Sequence, residues 1–264
     1  MKQKLTIVKV GGAVVEDDEQ LSRLLADFTA IKGPKILVHG GGRRATKVAA
    51  QLGIETQMVE GRRITDAAML EVVTMVYGGL VNKTIVARLQ ALGIDAIGLT
   101  GADAGIIRSE KRPPVAIKSS PTLVDFGFVG DVKRVAAETL GHLIDAGLTP
   151  VIAPLTHDGQ GHLLNTNADT MASETAKGLA TLYDVTLVFA FEKPGVLHNA
   201  DDDTSVIPVI NHQDFLTYRA DGIISGGMLP KIENALAAVD AGVSRVVITR
   251  ADAIDGTHGT SITA

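Results

Sequence analysis

The 264-residue sequence predicts an α/β fold: a three-layer α/β/α sandwich whose mainly parallel central sheet is shared by two lobes. Three observations lead there. Short apolar runs alternate with amphipathic helical patterns from end to end, as in βαβ units whose helices cover both sheet faces. Two early runs end in glycine clusters, Gly11-Gly12 and Gly40-Gly41-Gly42, as strand-to-helix turns of such folds do. No repeat, low-complexity tract or linker interrupts the alternation, so two lobes must share one sheet, with a soft division near residues 179–184. The expected lobes are residues 1–180 and 181–264.

Residues 5–10 read as a buried strand ending at Gly11-Gly12. Leu21, Leu24, Leu25, Phe28 and Ile31 then recur at the spacing of one helix face. Residues 35–38 form a second strand, followed by a helix carrying Ala45, Val48, Ala49 and Leu52, with Gly53 as its stop. Gly61-Arg62-Arg63 reads as a hairpin turn, and Thr65 as the cap of a long helix over 66–92. Segments 94–99, 115–118 and 127–129 are strand candidates in a less regular middle. A helix over 136–146, a strand over 149–154 and a turn at Asp158-Gly159 follow. Ala172, Thr175, Ala176 and Leu179 mark another helix, and 186–191 another strand. Ile232, Ala235, Leu236 and Val239 mark the last helix, stopped by Gly242, before a strand over 245–249.

Composition narrows the function. Cysteine is absent, which excludes disulfides, cysteine-ligated metal and a thiol nucleophile, and fits a cytoplasmic protein. The net charge of −5 argues against nucleic-acid and anionic-membrane partners. Neither a secretory signal nor a run of about 18 apolar residues is visible, so no membrane span is expected. The 28 glycines and 3% aromatics point to turns where backbone amides approach a ligand.

Residues 40–45 (GGGRRA) fit a dinucleotide-binding fingerprint, but triple glycine fits many patterns, and Glu60 falls beside a hairpin rather than at a strand end. More informative is Lys9 two residues before Gly11-Gly12, with His39-Gly40-Gly41-Gly42 at the next strand. Side by side at one sheet edge, these loops would form a nest of N–H donors for anionic oxygens. Arg63 is read either as a carboxylate clamp or as a solvated arginine. In Asn165-Thr166-Asn167-Ala168-Asp169, Asn167 and Asp169 read either as a helix cap or, with Asn165, as site residues. Lys231 follows a third glycine turn, Gly226-Gly227. The seven histidines show no metal-ligand spacing, and Asp201-Asp202-Asp203 lacks the rest of a calcium loop. No metal site is expected on the protein itself.

Lys9-x-Gly11-Gly12, His39-Gly40-Gly41-Gly42, Gly61-x-Arg63-x-Thr65, Asn165-x-Asn167-Ala168-Asp169 and Gly226-Gly227-Met228-x-x-Lys231, in that order, resemble the amino-acid kinase family over essentially the whole chain. The resemblance implies an ATP-dependent kinase acting on the side-chain carboxylate of an N-acylated glutamate in arginine biosynthesis. It implies Lys9 and Lys231 as stabilisers of the transferring phosphoryl group, and Asp169 as their organiser. Gly41, Gly42, Arg63 and Asn165 would bind the acceptor, and Gly11 and Gly12 phosphate oxygens. The nucleotide would lie on the second lobe, near Glu192, Lys193, Gly195, Val196, Leu197, Ile223, Ile224 and Ser225, with Mg²⁺ carried mainly on its phosphates. Residues 98–103 (GLTGAD) depart from a common family pattern, leaving N-acetyl and N-succinyl acceptors both open. A non-catalytic nucleotide or amino-acid sensor on the same fold is the competing reading. Hexameric, arginine-inhibited members carry an additional N-terminal helix. With four residues before Leu5, a homodimer is expected instead, through Met69, Val72, Val73 and Val76 of the long helix.

Overall fold

A computed structural model describes residues 2–117, 122–226 and 228–264. Strand β1 (Lys4–Val10) leads through a short α1 (Gly12–Glu16) into α2 (Asp18–Ala30), then β2 (Lys35–His39) and α3 (Gly42–Gln51). The α2 face found in the sequence is the buried one: Leu21, Leu24, Leu25 and Phe28 all face the core. Its start is fixed by Asp17, whose carboxylate accepts from the Glu19 and Gln20 amides at 3.0 and 2.9 Å. A hairpin of β3 (Met58–Val59) and β4 (Arg62–Arg63) turns at Glu60 and Gly61, both with positive φ. Next comes one unbroken helical rod: α4 (Ala67–Val73), a π-helical stretch (Thr74–Val81) and α5 (Asn82–Ala91).

Two expectations about this rod are corrected. Its cap is Asp66, which accepts from the Met69 amide at 2.8 Å. Thr65 is fully buried and pairs its backbone with residues 126–128 instead. Met69, Val72, Val73 and Val76 are almost fully buried in this chain's own core, so they cannot serve an interface; Met75 and Leu80 are the rod's exposed large apolar residues. The rod, 25 residues, is long and apolar enough to cross a membrane by length and composition alone, a test that core helices also pass. Its buried side, from Met69 to Leu89, is packed into the core.

The rest follows as β5 (Ala96–Leu99), β6 (Ile107–Lys111), β7 (Gly130–Val135), α6 (Ala137–Asp145), β8 (Thr149–Ile152), β9 (Leu155–His157), β10 (Leu163–Asn165), α7 (Ala168–Leu179) and β11 (Asp184–Phe191). Then come β12 (Val209–Ile210), α8 (His212–Ala220), α9 (Met228–Asp240), β13 (Arg245–Arg250) and β14 (Thr260–Ile262). The proposed strand at 127–129 makes only single bridges, Thr65 to Gly127 and Val129 to Asn165. Of the proposed strand at 115–118, Val115 forms one bridge to Val124, and residue 118 lies outside the described residues.

The main sheet has eight strands in the order β12-β14-β13-β11-β1-β2-β8-β5, parallel except for the β13–β14 pair. The four strands after residue 180 form one half, joined to the other where β11 pairs with β1. Alternation along β1 decides the layers. Leu5 and Ile7 enter one apolar core with α7 and α9, while Val8 and Val10 enter the other with α2, α3 and the long rod. A second sheet, β10-β9-β6-β7, stands beside the first.

Candidate active site

Because β1 and β2 are adjacent and parallel, their carboxyl ends deliver both glycine loops to one place. The loops touch. A Cβ added to Gly40 would lie 3.1 Å from the Gly12 amide nitrogen, and one on Gly12 would lie 3.6 Å from the amides of Gly41 and Gly42. Gly11 caps α1 and Gly41 caps α3, so the first free N–H groups of two helices point into the same space. That space is a cleft of about 440 Å³, also lined by Arg63, Asn165, Asp169 and Lys231.

Lys9 and Lys231 share one carboxylate. Lys9 Nζ is 2.6 Å from Asp169 Oδ1, and Lys231 Nζ is 3.4 Å from Oδ2. Asn167 caps α7 by accepting from the Asp169 and Thr170 amides at 2.8 and 3.1 Å, which fixes the turn that presents Asp169. The cap and the site are therefore one device. Burial pushes the Asp169 carboxyl up, but Lys9 and Lys231 outweigh it and hold the group below the ordinary range. Burial lowers Lys231, against the pull of Asp169. Two ammonium groups on one carboxylate leave the cluster with a formal charge of +1, and its Lys231 and Asp169 line the cleft.

Arg63 is not a solvated arginine. Nη2 donates to Gly42 O and Thr46 Oγ1, both at 2.9 Å, and Nη1 donates to Thr56 Oγ1 at 3.3 Å. The Tyr77 hydroxyl stands on the same side of the loop, where a Cβ on Gly42 would lie 3.8 Å from both it and Arg63 Nη2. Every one of these partners is neutral, so they orient the guanidinium without cancelling its charge. Asn165 donates to Thr65 Oγ1 at 3.0 Å, tying β10 to the start of the long rod.

The residues expected around the nucleotide differ in exposure. Glu192 and Lys193 are exposed and paired with Arg43 and Asp203 at 3.5 and 2.9 Å. Val196 and Ile224 are core residues, and Gly195 sits tightly under Thr260 and Val206. Leu197 bridges to Val206, Ile223 is half-buried, and Ser225 is exposed. Two residues escaped the motifs. Tyr77, brought round by the π-helical stretch, packs its ring edge where a Cβ on Gly41 would meet it at 2.9 Å. Burial pushes its phenol up, against the pull of Arg63. Phe191 lies with Lys231 Nζ 3.9 Å from its ring centroid. Its signal was an aromatic at the very end of a strand, next to a charged pair. Among the described residues, no three histidines or carboxylates converge as metal ligands.

A glycine nest beside two lysines on one aspartate, at the carboxyl edge of a parallel sheet, defines a phosphoryl-transfer class of site, and residues 4–250 match the model of the amino acid kinase family. The chain belongs to that family. Within it, the chain is 64% identical to the acetylglutamate kinase of Phocaeicola vulgatus, covering 99% of both chains. It is 42% identical to that of Methanopyrus kandleri, over 98% of this chain and 100% of that one. Among solved structures, the smu.665 protein of Streptococcus mutans is similar, with a TM-score of 0.77 at 27% identity over 98% of each chain.

Proposed function

We propose that this chain transfers the γ-phosphoryl group of ATP to the γ-carboxylate of N-acetyl-L-glutamate, the second step of arginine biosynthesis. One observation carries the reading: Asp169 holds Lys9 and Lys231 at 2.6 and 3.4 Å, and Asp169 and Lys231 line the same cleft as Arg63. An acceptor with two carboxylates fits that pattern, one for Arg63 and one to receive phosphate. A glutamate side chain, with an ordinary pKa of about 4.3, is already ionised at neutral pH and needs no general base. One of its oxygens attacks the γ-phosphorus, the bond from phosphorus to the bridging oxygen breaks, and ADP leaves with those electrons. No proton moves. Lys9 and Lys231 offset the charge that shifts in this step, and the amides of Gly11, Gly12, Gly41 and Gly42 donate hydrogen bonds to phosphate oxygens.

Arg63, Asn165, Gly41 and Gly42 would hold the acceptor within residues 1–180. The nucleotide would lie on residues 181–264, bordered by Glu192, Lys193, Leu197, Ile223 and Ser225, with Gly195, Val196 and Ile224 shaping the surface from beneath. The crowded amide cradle suits a polyphosphate. Mg²⁺ carried on the phosphates would add further neutralisation there. A cytoplasmic homodimer is proposed, using exposed Met75 and Leu80 of the long rod.

Hydroxylamine trapping of the acyl phosphate tests this. N-acetylglutamate should give hydroxamate with ATP, and free glutamate should not. A second reading, N-succinylglutamate, is favoured by exposed Arg62, which lines the same cleft and suits a second distal carboxylate. The same assay decides between them. Nucleotide binding with no turnover on either acceptor would favour the sensor.

A further inference from the structure

We propose that Phe191 is a positioning residue for phosphoryl transfer, its ring face holding the Lys231 ammonium without neutralising it. This rests on the reading of Lys231 as a group that stabilises the transferring phosphoryl.

Lys231 is the less firmly held of the two lysines. Lys9 is nearly buried and sits 2.6 Å from Asp169, whereas Lys231 is 3.4 Å away with its side chain 28% exposed. A flexible four-carbon side chain with one long ion pair needs a second restraint to keep its charge in one place. The Phe191 ring supplies it. Lys231 Nζ lies 3.9 Å from the ring centroid and Lys9 Nζ 5.7 Å, both within reach of the ring quadrupole.

The choice of an aromatic has an electrostatic consequence. A second carboxylate beside Lys231 would restrain it equally well, but would bring the formal charge of the cluster from +1 to zero. A ring attracts the cation through its negative face and carries no net charge. The ammonium is thus fixed while the cluster keeps the charge that a phosphoryl group in transfer requires.

Phe191 is itself held in orientation. It ends β11, in register with Arg250 of β13, and its carbonyl accepts from the Ala251 amide at 3.0 Å. Its ring stacks on Phe189 with centroids 6.1 Å apart and planes 1° from parallel. Phe189 is the core residue of the pair, 2% exposed, whereas Phe191 is only half-buried. One part of the Phe191 ring therefore packs against the core, and the half that stays uncovered is available to the ammonium groups.

The test is a shape-conserving series: 4-fluoro-, 3,5-difluoro- and 3,4,5-trifluorophenylalanine at position 191, which weakens the ring quadrupole stepwise. Turnover with saturating ATP and N-acylglutamate should fall in that order, to about 10-fold at three fluorines, with Tm and both KM values nearly constant. Phe191→Tyr and Phe191→Trp should retain kcat within about threefold, and Phe191→Leu should lower it 3- to 30-fold. In a Lys231→Ala background the fluorine series should become flat. A flat series in the wild-type background, or losses that track a falling Tm, would overturn the proposal. If Lys231→Ala itself turns over normally, the reading of Lys231 fails and the proposal falls with it. Collapse of Lys231→Ala beside a flat fluorine series refutes Phe191 alone.

Discussion

His39 ends β2 with no exposure to solvent, and its protonation state is set by neighbours whose donors and acceptors are already committed. Nδ1 lies 2.8 Å from Gly40 O, and Nε2 lies 3.1 Å from Asn82 Nδ2. The same Asn82 nitrogen donates to Val151 O at 2.9 Å, while Asn82 Oδ1 accepts from Lys83 Nζ at 3.1 Å. This network assigns a neutral ring that donates from Nδ1 and accepts at Nε2. A proton on Nε2 would face an amide N–H. Flipping the amide would only turn its NH₂ towards the Lys83 ammonium. Burial first, then the charge of Lys83, bring the pKa down from 6.5 to about 4, against the Gly40 bond. The unfolded chain therefore takes up the proton first. The stabilisation is complete above pH 6.5 and is lost as pH falls from 6.5 towards 4. At about 1.36 kcal/mol per unit, the total is about 3 kcal/mol, of which about 2.5 is lost between pH 7.5 and 4.5. Urea unfolding at fixed protein concentration, for wild type and His39→Gln across that range, reads it directly. Glutamine can still accept from Asn82 but does not titrate, and all other groups are common to both proteins. The stability gap between them should narrow by about 2.5 kcal/mol on acidification. A constant gap would refute the assignment of a buried neutral imidazole.

Lys231→Ala should lower kcat by about 100-fold or more, the scale for removing one preorganised charge, and steady-state kinetics at saturating substrates will show it. Arg63→Ala should raise the acceptor KM about 10- to 100-fold and leave the ATP KM unchanged, since that carboxylate contact persists through the reaction. Gly40→Ala places a methyl 3.1 Å from the Gly12 amide nitrogen; kcat/KM should fall at least about 10-fold with little change in Tm, measured side by side. Leu80→Glu, on the exposed side of the long rod, should shift the sedimentation coefficient from dimer to monomer.

Strands were legible wherever both faces of the sheet are covered, because β1, β2, β8, β11 and β13 are then nearly continuous apolar runs. The strands β6 and β7 were missed for the opposite reason: they are short, partly exposed and mostly polar, and only their mutual pairing makes them strands. At Thr65 and Asp66, two residues with equal capping chemistry stand side by side. What decides between them is the pairing of Thr65 with Gly127 and its bond from Asn165, 100 residues away. The long rod hid its outer face because it is apolar on more than one side, and its π-helical stretch breaks the 3.6-residue phase between Met69 and Leu80.

The site was legible to the extent that its parts are backbone-determined. Gly11-Gly12 and Gly40-Gly41-Gly42 had to meet once β1 and β2 paired in parallel, and Asn167 had to present Asp169 once it capped α7. Tyr77 and Phe191 obey no such rule. Each lies in an apolar stretch where an aromatic is an ordinary core residue, and only the fold sets one beside Arg63 and the other beneath Lys231. The two share a physical logic. On the proposed function both Arg63 and Lys231 keep their positive charge available to a substrate, so groups that hold them without cancelling that charge suit the task better than carboxylates. Asp169 is the exception, and it is divided between two lysines, so the cleft stays cationic.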